Sequence, residues 1–189
     1  MEIHNFNLCN DFSKKCQHIL ETKGLHKKIF AKFIRTNIIP DKDKKQKLGC
    51  DTLAQEQWLE YKFRDPKNAE YSHRDILLEY KHIYHNGHNV QGWIYKYLDH
   101  VLFVYGWTAL INNKLELKFP ILIFKMIELK TFFNKYHQEL QTIKAKNKDY
   151  ITYCKVAPLH LLKKNGVHIY QITEKDLING KNYELFKFI

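Results

Sequence analysis

Two acidic residues and a lysine stand where a short hairpin can bring them together: Asp51, Glu60 and Lys62. The run Trp58-Leu59-Glu60-Tyr61-Lys62-Phe63 alternates. As a strand it sends Trp58, Glu60 and Lys62 to one side of a sheet and Leu59, Tyr61 and Phe63 to the other. An acid and an amine therefore share one face. The stretch before it, Leu48-Gly49-Cys50-Asp51-Thr52-Leu53, also reads as a strand, and the polar turn Ala54-Gln55-Glu56-Gln57 folds it back so that Asp51 comes beside Glu60. Two carboxylates on rigid strands make a hard oxygen site of the kind Mg²⁺ accepts, with water and substrate phosphate completing the coordination. A lysine next to such a metal orients or activates a water and stabilises charge developing on a phosphate. The chemistry this spacing asks for is phosphodiester hydrolysis.

These residues resemble the signature of the PD-(D/E)XK nucleases, an acid on one strand and Glu-x-Lys on the next, matched here by Asp51, Glu60 and Lys62 within residues 48–107. The resemblance implies a restriction-endonuclease-like fold, a central mixed β-sheet flanked by helices, and divalent-metal-dependent cleavage of nucleic acid. It implies that Asp51 and Glu60 hold Mg²⁺ or Mn²⁺, with the Tyr61 carbonyl as a further ligand, and that Lys62 stands near the attacking water. Gln91 and Tyr95 are spaced as in a Gln-x-x-x-Tyr element of some nucleases of this family, and Glu21 matches the position of an additional acid on a preceding helix. Glu21 and Gln91 are therefore accessory candidates. The chain departs from the signature at Cys50, where a proline is expected; its Pro-Asp pair is Pro40-Asp41, further upstream.

Glu-x-Lys is a common tripeptide and recurs as Glu79-Tyr80-Lys81, Glu116-Leu117-Lys118 and Glu128-Leu129-Lys130. What distinguishes the first copy is its strand context, the Gly-x-Asp strand before it, the helix-then-strand pattern after it and the charge of the chain. Lysine plus arginine number 31 against 20 acids, a formal charge of +11 that fits a polyanionic partner. Lys42, Lys44, Lys45 and Lys47 in the loop after Pro40, and Arg64 after the Glu-x-Lys strand, are the candidates for nucleic-acid contact. The simpler account of these lysines is a solvated surface.

With 189 residues and 44% hydrophobic content, the chain is expected to form one domain over 1–189 with a substantial core. Residues 1–40 read as N-terminal helices, 48–107 as the catalytic core, and 108–189 as the rest of the sheet and its helices. Four cysteines without Cys-x-x-Cys spacing read as reduced, mostly buried thiols, not as zinc ligands or a disulfide framework. The N-terminus lacks a signal pattern and no run approaches a membrane span, so a cytoplasmic protein without membrane contact is expected.

Apolar periodicity predicts helices over 11–22 and 25–36, a helix from Ser72 through Tyr84 with Asp75 in its first turn, and a helix over 90–99. His82, His85 and His88 then fall at a helix end and an Asn-Gly turn, which is a more economical reading than a metal cluster. A buried strand follows over 100–105, then a hairpin turning at Asn112-Asn113, a strand over 121–126, and an amphipathic helix over 127–142. Lys144 to Lys148 reads as an exposed basic loop, residues 150–156 as a strand, Leu159 to Lys164 as a helical turn and 167–172 as a last strand. The C-terminal Leu185 to Ile189 alternates and suits a sheet edge or a dimer contact.

The expected class is thus α/β or α+β with a mixed sheet. The expected function is a metal-dependent endonuclease acting on DNA, with RNA as the other polymer to consider: a restriction enzyme, a junction resolvase, or a small repair or phage nuclease. Such an enzyme acts as a homodimer when each protomer cuts one strand of a two-fold duplex. The rival readings are a basic nucleic-acid-binding protein that does not cut, and an interaction module whose positive surface meets an acidic protein.

Overall fold

A computed structural model describes residues 15, 16, 18, 19, 38–40, 52–54, 57–65, 73–112 and 114–178. Among these, Lys15, Cys16, His18 and Ile19 are helical, inside the first expected helix. The second expected helix, the lysine-rich loop and the C-terminal Leu185 to Ile189 lie outside the described residues. The elements in chain order are β1 (Ile38–Pro40), β2 (Thr52–Ala54), β3 (Gln57–Arg64), β4 (Asp75–Tyr84), β5 (Asn89–Gln91), α1 (Trp93–Lys96), β6 (Leu102–Ile111), β7 (Lys114–Lys125), α2 (Met126–Tyr136), β8 (Thr142–Lys146), β9 (Tyr150–Pro158), α3 (Leu159–Lys164), β10 (Tyr170–Ile172) and α4 (Glu174–Ile178).

The chain is mixed α+β and is organised by two sheets. The first has the order β1-β2-β3-β6-β7-β10 and is antiparallel throughout except for the parallel pair β3 and β6. The second, β5-β4-β9-β8, is wholly antiparallel. A parallel pair needs a long crossover, and here the crossover from β3 to β6 is made by β4, β5 and α1.

β6 is the central strand, buried from Leu102 through Thr108. Its alternation divides the core. Phe103, Tyr105 and Trp107 face one side, where they join Ile76 and Leu78 of β4, Trp93 and Ile94 of α1, and Leu129 and Phe133 of α2. Leu102 and Val104 face the other, with Leu59 and Tyr61 of β3, Ile121 and Ile123 of β7, and Cys16. Burying aromatics of this size contributes more than any other single class of contact, roughly 1.5–3 kcal/mol per large apolar side chain. Cys16 and Cys154 are buried free thiols, and burial pushes the Cys16 thiol up to about 12, so it serves as an apolar filler and not as a nucleophile.

Pro120 sits inside β7, where its missing N–H would break a regular ladder. The register solves this. Tyr105 pairs with Leu122 and Trp107 with Lys118, so the pairing slips at Gly106, opposite the proline. Gly106 is required there because a Cβ would lie 2.7 Å from the Phe63 ring and 3.0 Å from Ile121.

Four expectations are corrected. The helix placed over 72–84 is the strand β4. Its apolar residues fit a helical spacing, but Ile76 and Leu78 are buried in alternation and nine residues pair with β9, a non-local ladder that outweighs local pattern. The helix over 90–99 is reduced to α1, preceded by the edge strand β5. The two strands expected over 115–119 and 121–126 are one, β7, which continues through Pro120. Lys144 and Lys146 do not lie in a loop; they occupy the edge strand β8, whose burial alternates, and exposed lysines on an edge discourage pairing with another chain. The amphipathic helix is present as α2 but stops at Tyr136, and its first two N–H groups donate to the carbonyls of Val101 and Asp99. No helix among the described residues is long and apolar enough to cross a membrane.

Candidate active site

β3 carries the candidate site. Leu59 and Tyr61 are buried on one face of the strand, which sends Glu60 and Lys62 to the opposite face, as the alternation requires. Glu60 is 3% exposed, unusual for a glutamate unless it is paired. Among the described residues it is paired with two groups through the same oxygen. The Lys62 Nζ is 2.8 Å from Glu60 Oε1, and the Tyr97 hydroxyl donates to that Oε1 at 2.5 Å. Lys62 keeps 34% of its side chain exposed, so the pair runs from a buried carboxylate to an amine at the surface.

Tyr97 follows α1 and is held by its own backbone N–H donating to the Trp93 carbonyl, while its ring stacks on Trp93. Burial pushes its hydroxyl far above the usual tyrosine range; Lys62 pulls the other way, and the carboxylates of Glu60 and Glu79 add to the rise. The hydroxyl therefore keeps its proton and acts as a fixed donor that orients Glu60.

Glu79, on β4, is the second acid near this face. Its field acts on Tyr97 and on His82, and its carboxylate is 3.9 Å from the His82 Nε2. His82 Nδ1 is 3.0 Å from the Thr152 hydroxyl. Burial, chiefly, pulls the His82 pKa below 6.5; Lys96 and Lys62 act in the same direction and Glu79 opposes them. His73 is pulled below 6.5 too, again mainly by burial. The sign is the same for both: the unfolded state binds the proton more readily, so their contribution to stability is complete above about pH 6.5 and is lost as pH falls toward their folded values. The thermal midpoint is expected to decline between pH 7 and pH 5, and His82→Gln to flatten part of that decline in scanning calorimetry.

The residues singled out from the sequence separate into groups. The register Thr52 to Leu59 and Ala54 to Gln57 establishes the expected hairpin of β2 and β3. Asp51, Glu21, Lys42, Lys44, Lys45 and Lys47 lie outside the described residues. The Tyr61 ring is buried on the face away from Glu60, which leaves its backbone carbonyl as the group concerned. Gln91 is exposed on the edge strand β5, and Tyr95 packs edge-on against Phe133 at 5.5 Å. The tyrosine that reaches the site is Tyr97, two positions later. Arg64 is not available as a surface phosphate contact: it is 9% exposed, pairs with Asp75, and donates from Nε to the Tyr105 hydroxyl at 3.0 Å. The three histidines do not converge, since His82 is held by Thr152, His85 lies 2.9 Å from the Lys148 carbonyl and His88 packs on Tyr84.

Glu79 and Tyr97 were not separable in the sequence. Glu79 sat in a repeat of Glu-x-Lys, and only the crossover through β4 brings it to the β3 face. Among the described residues no group of three His, Cys, Asp or Glu side chains is arranged to hold a metal ion. A carboxylate is a hard oxygen donor, and in Glu60 the Oε1 atom already accepts from a hydroxyl and an ammonium. Comparison with protein-family models, with curated proteins and with solved structures finds no match.

Proposed function

We propose that the chain is a divalent-metal-dependent endonuclease that hydrolyses phosphodiester bonds in DNA, acting in the cytoplasm on a restriction-endonuclease-like fold. The observation that carries this reading is the Glu60 and Lys62 pair on one face of β3, with the carboxylate buried and oriented by Tyr97 and the amine reaching solvent. The mixed sheet, in which β3 joins a hairpin on one side and a parallel strand on the other, supports it. So does the charge of +11, which favours encounter with a polyanion.

In this reading Asp51 and Glu60, with the Tyr61 carbonyl, would hold Mg²⁺ or Mn²⁺. The ion, when bound, supplies Lewis-acid stabilisation of the phosphate and an acidified water. Lys62 positions that water and offsets charge on the scissile phosphate. Tyr97 keeps Glu60 in one rotamer, the function of an outer group behind a metal ligand. A homodimer would let each protomer cut one strand.

Plasmid and branched DNA incubated with Mg²⁺ or Mn²⁺ should be cleaved, and EDTA should stop it. Asp51→Asn, Glu60→Gln and Lys62→Ala should each reduce cleavage by about 10²–10⁴-fold while DNA binding is retained; Lys62→Ala, which leaves the buried Glu60 carboxylate without its ammonium, should also lower the thermal midpoint. Tyr97→Phe should lose about 10–100-fold and need more Mg²⁺ for half-maximal rate. DNA that binds but is never cut under any metal would overturn the catalytic reading in favour of the non-cutting nucleic-acid-binding protein.

A further inference from the structure

A cleft of about 640 Å³ opens beside β4 and α3, and neither Glu60 nor Lys62 lines it. Its volume lies in the range of small-ligand sites, roughly 300–1,000 Å³. Two cations and an imidazole stand around it: Arg74, Lys163 and His160, all exposed. They converge for a structural reason. The Leu159 N–H donates to the Arg74 carbonyl at 2.9 Å, which fixes Arg74 against the start of α3, and His160 and Lys163, three apart, share one side of that helix. Among the described residues none of the three side chains makes an ion pair or hydrogen bond. The one acid in the lining is Asp75, and its charge is already balanced by Arg64.

The rest of the lining is of another kind. His73 holds a left-handed backbone, φ 60°, a conformation that costs a non-glycine residue of order 1 kcal/mol. Its Nε2 lies 3.1 Å from the Pro120 carbonyl, which can only accept, so Nε2 bears the proton. Its ring is 4.4 Å from that of Trp107. A ring locked in this way lines the cleft together with the apolar Pro158 and Leu159, and the Gln171 amide offers both a donor and an acceptor. Exposed basic side chains together with a flat ring, apolar groups and an amide in one cleft match a phosphate joined to a base.

We propose that this cleft binds one phosphate-bearing nucleotide, free or as a unit of a strand, with the phosphate on Arg74, His160 and Lys163 and the base against His73, Pro158 and Leu159. The site is separate from the Glu60 face and does not depend on cleavage there.

The test is calorimetric titration of the full chain in EDTA with deoxyadenosine monophosphate, deoxyadenosine, inorganic phosphate and a short single-stranded oligonucleotide. The nucleotide should saturate one site and bind at least about tenfold more tightly than phosphate or the nucleoside alone. Arg74→Ala/Lys163→Ala, both at exposed positions, should weaken it about tenfold or more with an unchanged thermal midpoint. Glu60→Gln should leave it intact. Binding of the oligonucleotide alone, with the same sensitivity to Arg74 and Lys163, would make the strand the source. Phosphate binding as tightly as the nucleotide, indifference to Arg74→Ala/Lys163→Ala, loss in Glu60→Gln, or no saturable binding of nucleotide or oligonucleotide would each overturn the proposal. A protein that binds the nucleotide here yet cuts no DNA would retain this site and lose only the nuclease reading.

Discussion

Gly92→Ala is expected to cost about 3 kcal/mol or more and to lower the thermal midpoint by about 6–12 °C, among the largest effects of any single methyl group in this chain. Gly92 links β5 to α1. A Cβ there would stand 2.2 Å from the Glu79 carbonyl oxygen, 2.4 Å from its carbon and 2.6 Å from the Tyr80 nitrogen. These are backbone atoms of a paired strand, so no rotamer can relieve the clash. The approach is close because the Gly92 N–H donates to the Tyr80 carbonyl at 2.9 Å, next to the point where the register of β4 slips between Glu79 and Lys81. The φ of Gly92 is an ordinary −72°, so the requirement is space and not backbone freedom. Gly87 makes the contrasting control: its φ is +81° with nothing within 4 Å of a built Cβ, and Gly87→Ala should cost only about 1 kcal/mol. A thermal midpoint for Gly92→Ala within a degree of the parent protein would show that the β4 and α1 junction is not packed as described. Because this junction sets α1, and Tyr97 follows α1, a folded Gly92→Ala variant should also show the impaired cleavage of Tyr97→Phe.

Arg64→Ala should destabilise by about 3–5 kcal/mol, since it removes one partner of a buried charge pair and strands the other. Asp75 would remain with 14% of its side chain exposed and the guanidinium gone. The Tyr105 hydroxyl, buried and pushed up to about 12 chiefly by that burial, would lose one of its two donors and keep the Leu77 N–H at 3.2 Å. Arg64→Met/Asp75→Leu should recover much of the loss, because exchanging both partners for apolar groups removes the uncompensated charge. Urea unfolding of Arg64→Met, Asp75→Leu and the double variant closes the cycle. The same variants discriminate between roles. A phosphate contact at Arg64 would reduce the salt slope of DNA binding by about one when removed, whereas the buried pair predicts a lower midpoint and an unchanged slope.

The strand β3 and its two faces were legible from alternation alone, and so was the hairpin with β2, because period-two patterning and a polar turn are local signals. Glu60 and Lys62 on one face followed directly. The β6 and β7 hairpin, α2, β9 and α3 were legible for the same reason. β4 was not, since its apolar spacing satisfies a helix as well as a strand, and the ladder that decides the matter comes from β9, far along the chain. Arg64 looked like a surface cation because nothing near it in sequence announces Asp75 or Tyr105 as its partners. The sequence by itself thus determined that an acid and an amine share a strand face on a basic chain, because side-chain direction in a strand is set by backbone geometry. Only the tertiary structure decided which groups surround that pair. Tyr97 touches it, and Glu79 and His82 come within electrostatic reach of Tyr97 and Lys62, through a crossover of two strands and a helix, and an arrangement made that way depends on packing between distant segments, which no local spacing encodes.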